Sequence, residues 1–153
     1  MKNRTHILLC TAALFLCLAA GAQNKALTGL SAAARQSPEG EFSVFSSITK
    51  YLAAGDANAL SAWFADNLDI TVISSSRNCS RKQAREILRT FFEANTPRSF
   101  QVSHKASEAN RKYMIGLLNA GGELFQVTIY ATSSGGDTYK IQQLNISRQT
   151  AVY

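Results

Sequence analysis

The sequence predicts an α+β domain in which three N-terminal helices pack on a curved, mostly antiparallel sheet. Three observations carry the prediction. Apolar residues recur at three- and four-residue spacing in segments between Phe42 and Phe92, the period of helices with one buried side. From Ser99 to Arg148 the pattern changes to alternation, in segments separated by Gly-bearing turns, which marks antiparallel hairpins. Helices segregated ahead of most of the strands belong on one face of a two-layer, cone-shaped fold.

The 153-residue chain has room for one core and not comfortably for two. Residues 1–22 read as a secretory signal peptide: Lys2 and Arg4 precede the apolar run Ile7–Ala20, and Ala20-Gly21-Ala22 offers a small-residue cleavage site. The run is shorter than the ~20 residues that span a bilayer. Neither Cys10 nor Cys17 follows a small residue, which argues against a lipid anchor. The expectation is an exported protein, periplasmic or secreted, cleaved after Ala22, with no transmembrane segment left. Cleavage would lower the formal net charge from +6 to +4, because Lys2 and Arg4 leave. Such a modest excess outside the cytoplasm speaks for solubility, and nothing in it argues for nucleic acid. Of the three cysteines only Cys79 would remain, so no internal disulfide is expected.

Residues 23–41 are rich in Ala, Ser and Gly, have little to bury and read as a flexible leader. The domain is expected over 42–149, with a short tail at 150–153. Phe42, Phe45, Ile48 and Leu52 define the first helix. Gly55 suits the position past its end, and Asp56 suits the N-cap of a second helix with Leu60, Trp63 and Phe64 on its apolar side. Leu68–Ile73 reads as a strand ended by Ser74-Ser75-Ser76. Ser80-Arg81-Lys82-Gln83 is a capping box ahead of a third helix, whose stripe is Ala84, Ile87, Leu88, Phe91 and Phe92. Thr96-Pro97 stops it.

Four strands follow. Ser99–Lys105 places Phe100 and Val102 on one side, and regular alternation would put His104 with them, inside the cone. Lys112–Asn119 is the next strand, turned by Ala120-Gly121-Gly122. Glu123–Thr132 sets Phe125, Val127 and Ile129 against Gln126, Thr128 and Tyr130. In Thr138–Arg148 the residues Ile141, Leu144 and Ile146 break strict alternation, and a bulge near Gln142-Gln143 would restore one apolar face.

This order of elements, together with the corner GDANALSAWFADN (Gly55–Asn67), resembles the nuclear-transport-factor-2-like superfamily with its cystatin-like cone fold. More narrowly, WFADNLDI, CSRKQA, TPRSF, NAGGE and YKIQQL are similar to a family of short exported proteins from Bacteroidetes-type bacteria, the domain-of-unknown-function 4783 family. The resemblance implies a fold and an exported address and assigns no activity. Enzymes of the superfamily place an Asp or His inside the cone, often just after the first strand. Here Ile70–Ser76 holds neither, which speaks against proton-transfer catalysis. Outer sheet faces of these relatives often pair as dimers.

Single residues are read against that background. His104 and Tyr113 are the candidate catalytic groups, His104 as a general base inside the cone. Asp69 is expected to face outward. Arg81, Arg85 and Arg89 recur every four residues and form one helix stripe able to hold an anionic group. Cys79, flanked by Arg77, Arg81 and Lys82, has the setting of a reactive thiol but is read as an apolar staple on Ala84. Gln101, Gln126, Thr128, Tyr130 and Gln143, with Ser103 and Asn145, would form a neutral polar sheet face suited to glycan or protein contacts and above all to a homodimer. No metal or cofactor is expected. The function expected is a non-catalytic module that binds a small apolar or amphipathic ligand in its cone or a partner on its sheet. The alternatives are an isomerase, dehydratase or hydrolase of the cone fold and a structural envelope dimer.

Overall fold

The computed structural model describes residues 38–150. The expected signal peptide, its cleavage site, most of the expected leader and residues 151–153 lie outside the described residues. Within the leader, Pro38–Glu41 forms a short helix, α1.

Helix α2 (Ser43–Ala54) buries Val44, Phe45, Ile48 and Leu52. It stops where the sequence says it should. Gly55 takes φ 68°, and its N–H reaches Leu52 O at 3.3 Å while Asp56 N–H reaches Tyr51 O at 3.0 Å. The Asp56 carboxylate accepts the Ala59 N–H at 2.9 Å and caps α3 (Ala57–Ser61). Helix α3 is shorter than its apolar spacing predicts. Phe64, read as helical, begins a strand instead, and Trp63 lies in the turn before it, where its carbonyl accepts the Ile141 N–H at 2.7 Å. Pairing with the last strand outweighs local helical preference here, and Phe64 is fully buried in the strand.

Strand β1 (Phe64–Val72) turns directly into β2 (Ser75–Ser80), so Ser75 and Ser76, expected to end a strand, begin a second one. Helix α4 (Arg81–Ala94) follows with the expected capping box: Ser80 Oγ accepts the Gln83 N–H at 3.3 Å and Gln83 Oε1 accepts the Ser80 N–H at 3.0 Å. Ser80→Ala is expected to lower stability by ~1 kcal/mol, the usual cost of a lost side-chain cap, read as a shift in the urea midpoint with unchanged slope. The chain ends with β3 (Pro97–Glu108), β4 (Arg111–Ala120), β5 (Glu123–Ser133) and β6 (Tyr139–Arg148). Together the elements give an α+β fold with a curved six-stranded sheet in the order β2-β1-β6-β5-β4-β3. Among the described residues only the β1–β6 pair is parallel. The long helix α4 therefore follows a hairpin, so the helices are not all N-terminal to the sheet.

The sheet's inner face and the helices share one core. Alternation in β4 sends Met114 and Leu118 inward, β5 sends Phe125, Val127 and Ile129, and all of these are fully buried. The expected bulge in β6 is present: Tyr130 pairs with Gln143 but Ala131 pairs with Ile141, so Gln142 is the extra residue. It lets Ile141 and Leu144 both point inward. A second bulge was not foreseen. Val102 pairs with Gly116 and His104 with Ile115, which leaves Ser103 over and reverses the face of everything after it. Lys112, another surprise, is buried, with its ammonium over the Tyr139 ring at 4.2 Å and donating to Glu41 O.

Candidate functional site

The core packs between sheet and helices, and at its margin a cleft of about 410 Å³ opens between the β1–β2 hairpin and the second half of α4. One wall is the inner side of β1, Ile70 and Val72. The other is an α4 row, Ile87, Phe91 and Ala94, in which Phe91 also belongs to the core. Its polar groups are few: Ser75 and Arg77 of β2, with Thr90 and Asn95 of the α4 side. An apolar lining with a few convergent polar groups is the usual make-up of a small-molecule site. Arg77 Nη2 donates to Ser75 Oγ at 3.3 Å, and among the described residues Arg77 forms no ion pair.

Ile73, at the hairpin turn, forms the rim. Its φ of 60° is left-handed, a conformation that costs a β-branched residue ~1–2 kcal/mol. Its N–H is nonetheless tied to Ile146 O at 2.6 Å, and its side chain stays 39% exposed over the cleft. Strain of this kind, held in place by neighbouring structure, concentrates at ligand clamps and active sites.

Among the described residues no Asp, Glu, His, Lys, Cys or Tyr lines this cleft. The bulge at Ser103 puts His104 on the outer face of the sheet, exposed, and not inside with Phe100 as regular alternation requires. Val102 stays on the inner side yet is 36% exposed. Outside, His104 Nε2 lies 3.2 Å from the Tyr113 hydroxyl, and the Tyr113 ring lies tilted against Tyr130 with centroids 5.7 Å apart. The two catalytic candidates thus meet each other, but on an open surface. Asp69 also faces outward, as expected, where Asn78 Nδ2 donates to its Oδ1 at 2.8 Å. Among the described residues no group of His, Cys, Asp and Glu has the arrangement of a metal site.

The arginine stripe of α4 is engaged with carboxylates. Arg81 meets Asp66 at 2.8 Å, Arg85 meets Glu86 at 3.2 Å, and Arg89 contacts both Glu86 and Glu93. Exposed pairs of this kind add little stability, but they occupy the guanidinium groups that an anion would need. Cys79 is 6% exposed and belongs to the core cluster with Ala84. Burial pushes its thiol up, Arg77 pulls it partly back and Asp69 raises it slightly. In the native protein it is expected to resist a thiol label at neutral pH and to react once urea unfolds the chain. Because the folded thiol holds its proton more tightly than the unfolded one, its contribution to stability is full below the ordinary thiol range and declines as pH rises through it.

Gln101, Gln126, Thr128, Tyr130 and Gln143 all stand on the outer face, partly or fully exposed. They share it with Ile115 and Leu117, half-buried side chains that the sequence reading did not assign to this face. Both sides of β4 are apolar, so its pattern could not tell inside from outside.

A family model described as a domain of unknown function, DUF4783, matches residues 45–147. No curated protein matches the chain. Among solved structures, a DUF4783 family protein from Bacteroides uniformis is similar at 20% identity and a TM-score of 0.65, covering 69% of this chain and 96% of its own. A domain of unknown function with a cystatin-like fold from Nostoc punctiforme reaches a TM-score of 0.58 at 12% identity, covering 74% of this chain and 78% of its own. An NTF2-like family protein from Streptomyces avermitilis reaches 0.52 at 12% identity, covering 69% and 92%.

Proposed function

This chain belongs to the DUF4783 family, and we propose that it works as a non-catalytic binding module whose ligand occupies the cleft between the β1–β2 hairpin and α4. The observation that carries this reading is an apolar cleft with, at one wall, an arginine that forms no ion pair among the described residues and, at its rim, a strained isoleucine. The ligand class that fits is amphipathic and anionic, with its apolar body against Ile70, Val72 and Phe91 and its charged group at Arg77. Among the described residues the lining holds no general acid or base, which supports binding over turnover. An exported, periplasmic or secreted address, with the signal peptide removed after Ala22, would bring the module to such ligands outside the cytoplasm.

Dodecanoate and dodecanol are the probes. Calorimetric titration is expected to show one site for dodecanoate. Arg77→Ala weakens it about tenfold, the factor given by ~1.4 kcal/mol, and leaves dodecanol unchanged. Ile87→Trp fills the cleft and abolishes both. Equal affinity of wild type and Ile87→Trp would sink the reading.

A second reading concerns the outer sheet face. Ile115 and Leu117, flanked by Gln101, Gln126 and Thr128, give it an uncovered apolar centre, which suits pairing with a second copy. Light scattering is expected to give a dimer that Leu117→Lys converts to a monomer. A wild-type monomer at high protein concentration would rule this pairing out.

A further inference from the structure

We propose that the outer face carries a separate site for a neutral polyhydroxylated ligand, a saccharide, in the polar pocket where β1, β6 and β5 lie side by side. The pocket, of about 410 Å³, is lined by Asp69, Asn78, Arg111, Tyr130, Gln142 and Gln143 among others. It sits on strand positions distinct from those of Ile115 and Leu117 and on the opposite side of the sheet from the cleft.

The β6 bulge builds it. In a regular strand one of two successive residues turns inward, but here Gln142 and Gln143 are both exposed. The same irregularity that buries Ile141 and Leu144 therefore displays two neighbouring amides. Each amide offers donors and an acceptor in one plane. Across the sheet, Gln143 pairs with Asp69 on one side and Tyr130 on the other, so carboxylate, amide and phenol stand in one row. Asn78 holds Asp69 Oδ1 at 2.8 Å, which orients the carboxylate and leaves Oδ2 to accept from a ligand.

Donors and acceptors in this balance match sugar hydroxyls, each of which donates and accepts at once. Planar carboxylate, amide and guanidinium groups can each span two adjacent hydroxyls. Charge points the same way: Asp69 and Arg111 offset one another, so neither a phosphate nor a cation is favoured over a neutral molecule. An aromatic strip leads away from the pocket. Tyr130 is followed by Tyr113 at 5.7 Å and by His104 at 5.6 Å, with interplanar angles of 35° and 41°. Pyranose rings present apolar C–H faces that pack on such rings. One sugar in the pocket and its neighbours along the strip use all of these groups together.

The test is a glycan array probed with the intact protein, followed by titration of the best oligosaccharide. At least one saccharide is expected to bind. Tyr130→Ala and Gln143→Ala should each weaken it about tenfold or more without moving the thermal midpoint by more than the scatter of replicates. Ile87→Trp, which fills the cleft, should leave saccharide affinity unchanged, so the two sites stand or fall separately. An array with no signal above background, or binding that persists in both Tyr130→Ala and Gln143→Ala, would overturn the proposal. Selective binding of acidic glycans that a high-salt wash removes would overturn it too.

Discussion

Gly116→Ala is expected to destabilise the domain by ~3 kcal/mol, the upper end of the cost of overpacking a tight core. Gly116 faces inward from β4, between Met114 and Leu118. A Cβ there would lie 2.4 Å from Phe100 Cζ and 2.8 Å from the Gln101 carbonyl oxygen. The ring is a side chain and can yield, but the carbonyl belongs to the β3–β4 ladder and cannot move without breaking pairing. Gly116 is here because Phe100, from the neighbouring strand, fills the space its side chain would take. That logic sets a second expectation: in a Phe100→Leu background the cost of Gly116→Ala should shrink, giving a coupling of 0.5 kcal/mol or more in the range of ~0.5–3 for residues in contact. Additive effects in urea titrations would show that the two residues do not share the space.

Removal of a large side chain should cost as much. Phe125→Ala is expected to lose ~3–5 kcal/mol, a large part of the ~5–15 kcal/mol that holds a domain together. Phe125 is fully buried on β5 and meets Phe91 of α4 edge to face, with centroids 5.1 Å apart and planes at 85°. The pair joins the middle of the sheet to the helix that walls the cleft. Dodecanoate affinity should therefore fall in Phe125→Leu, a milder change, through loosening of Phe91. A stability loss below ~1 kcal/mol for Phe125→Ala would mean that the sheet–helix contact is not the core described here.

Much of this arrangement is written locally in the chain. The alternation of β5 separates Phe125 from Gln126, the Gly55-Asp56 corner and the Ser80–Gln83 box fix two helix boundaries, and the misfit of Ile141 with Leu144 announces the bulge at Gln142. What the chain hides depends on partners distant in sequence. Strand β2 has a single buried residue, Cys79, so it carries no apolar period of its own and exists because β1 pairs with it. Phe64 joins a strand because β6 lies beside it, more than seventy residues later. The Ser103 bulge gives no warning, since Gln101–Lys105 is polar enough to read in either register, and so His104 changes face. The cleft shares this character. Its α4 wall is legible as helical spacing, whereas Ile73 and Arg77 join it only once the hairpin is formed.

The cleft is the central claim, and an amide-resolved NMR titration of the protein with dodecanoate tests it most directly. The account predicts shift changes confined to the β1–β2 hairpin and the second half of α4, strongest at Ile73, Arg77, Ile87 and Asn95. Changes confined to the outer face around Ile115 and Leu117, or none up to the solubility limit of the probe, would contradict it.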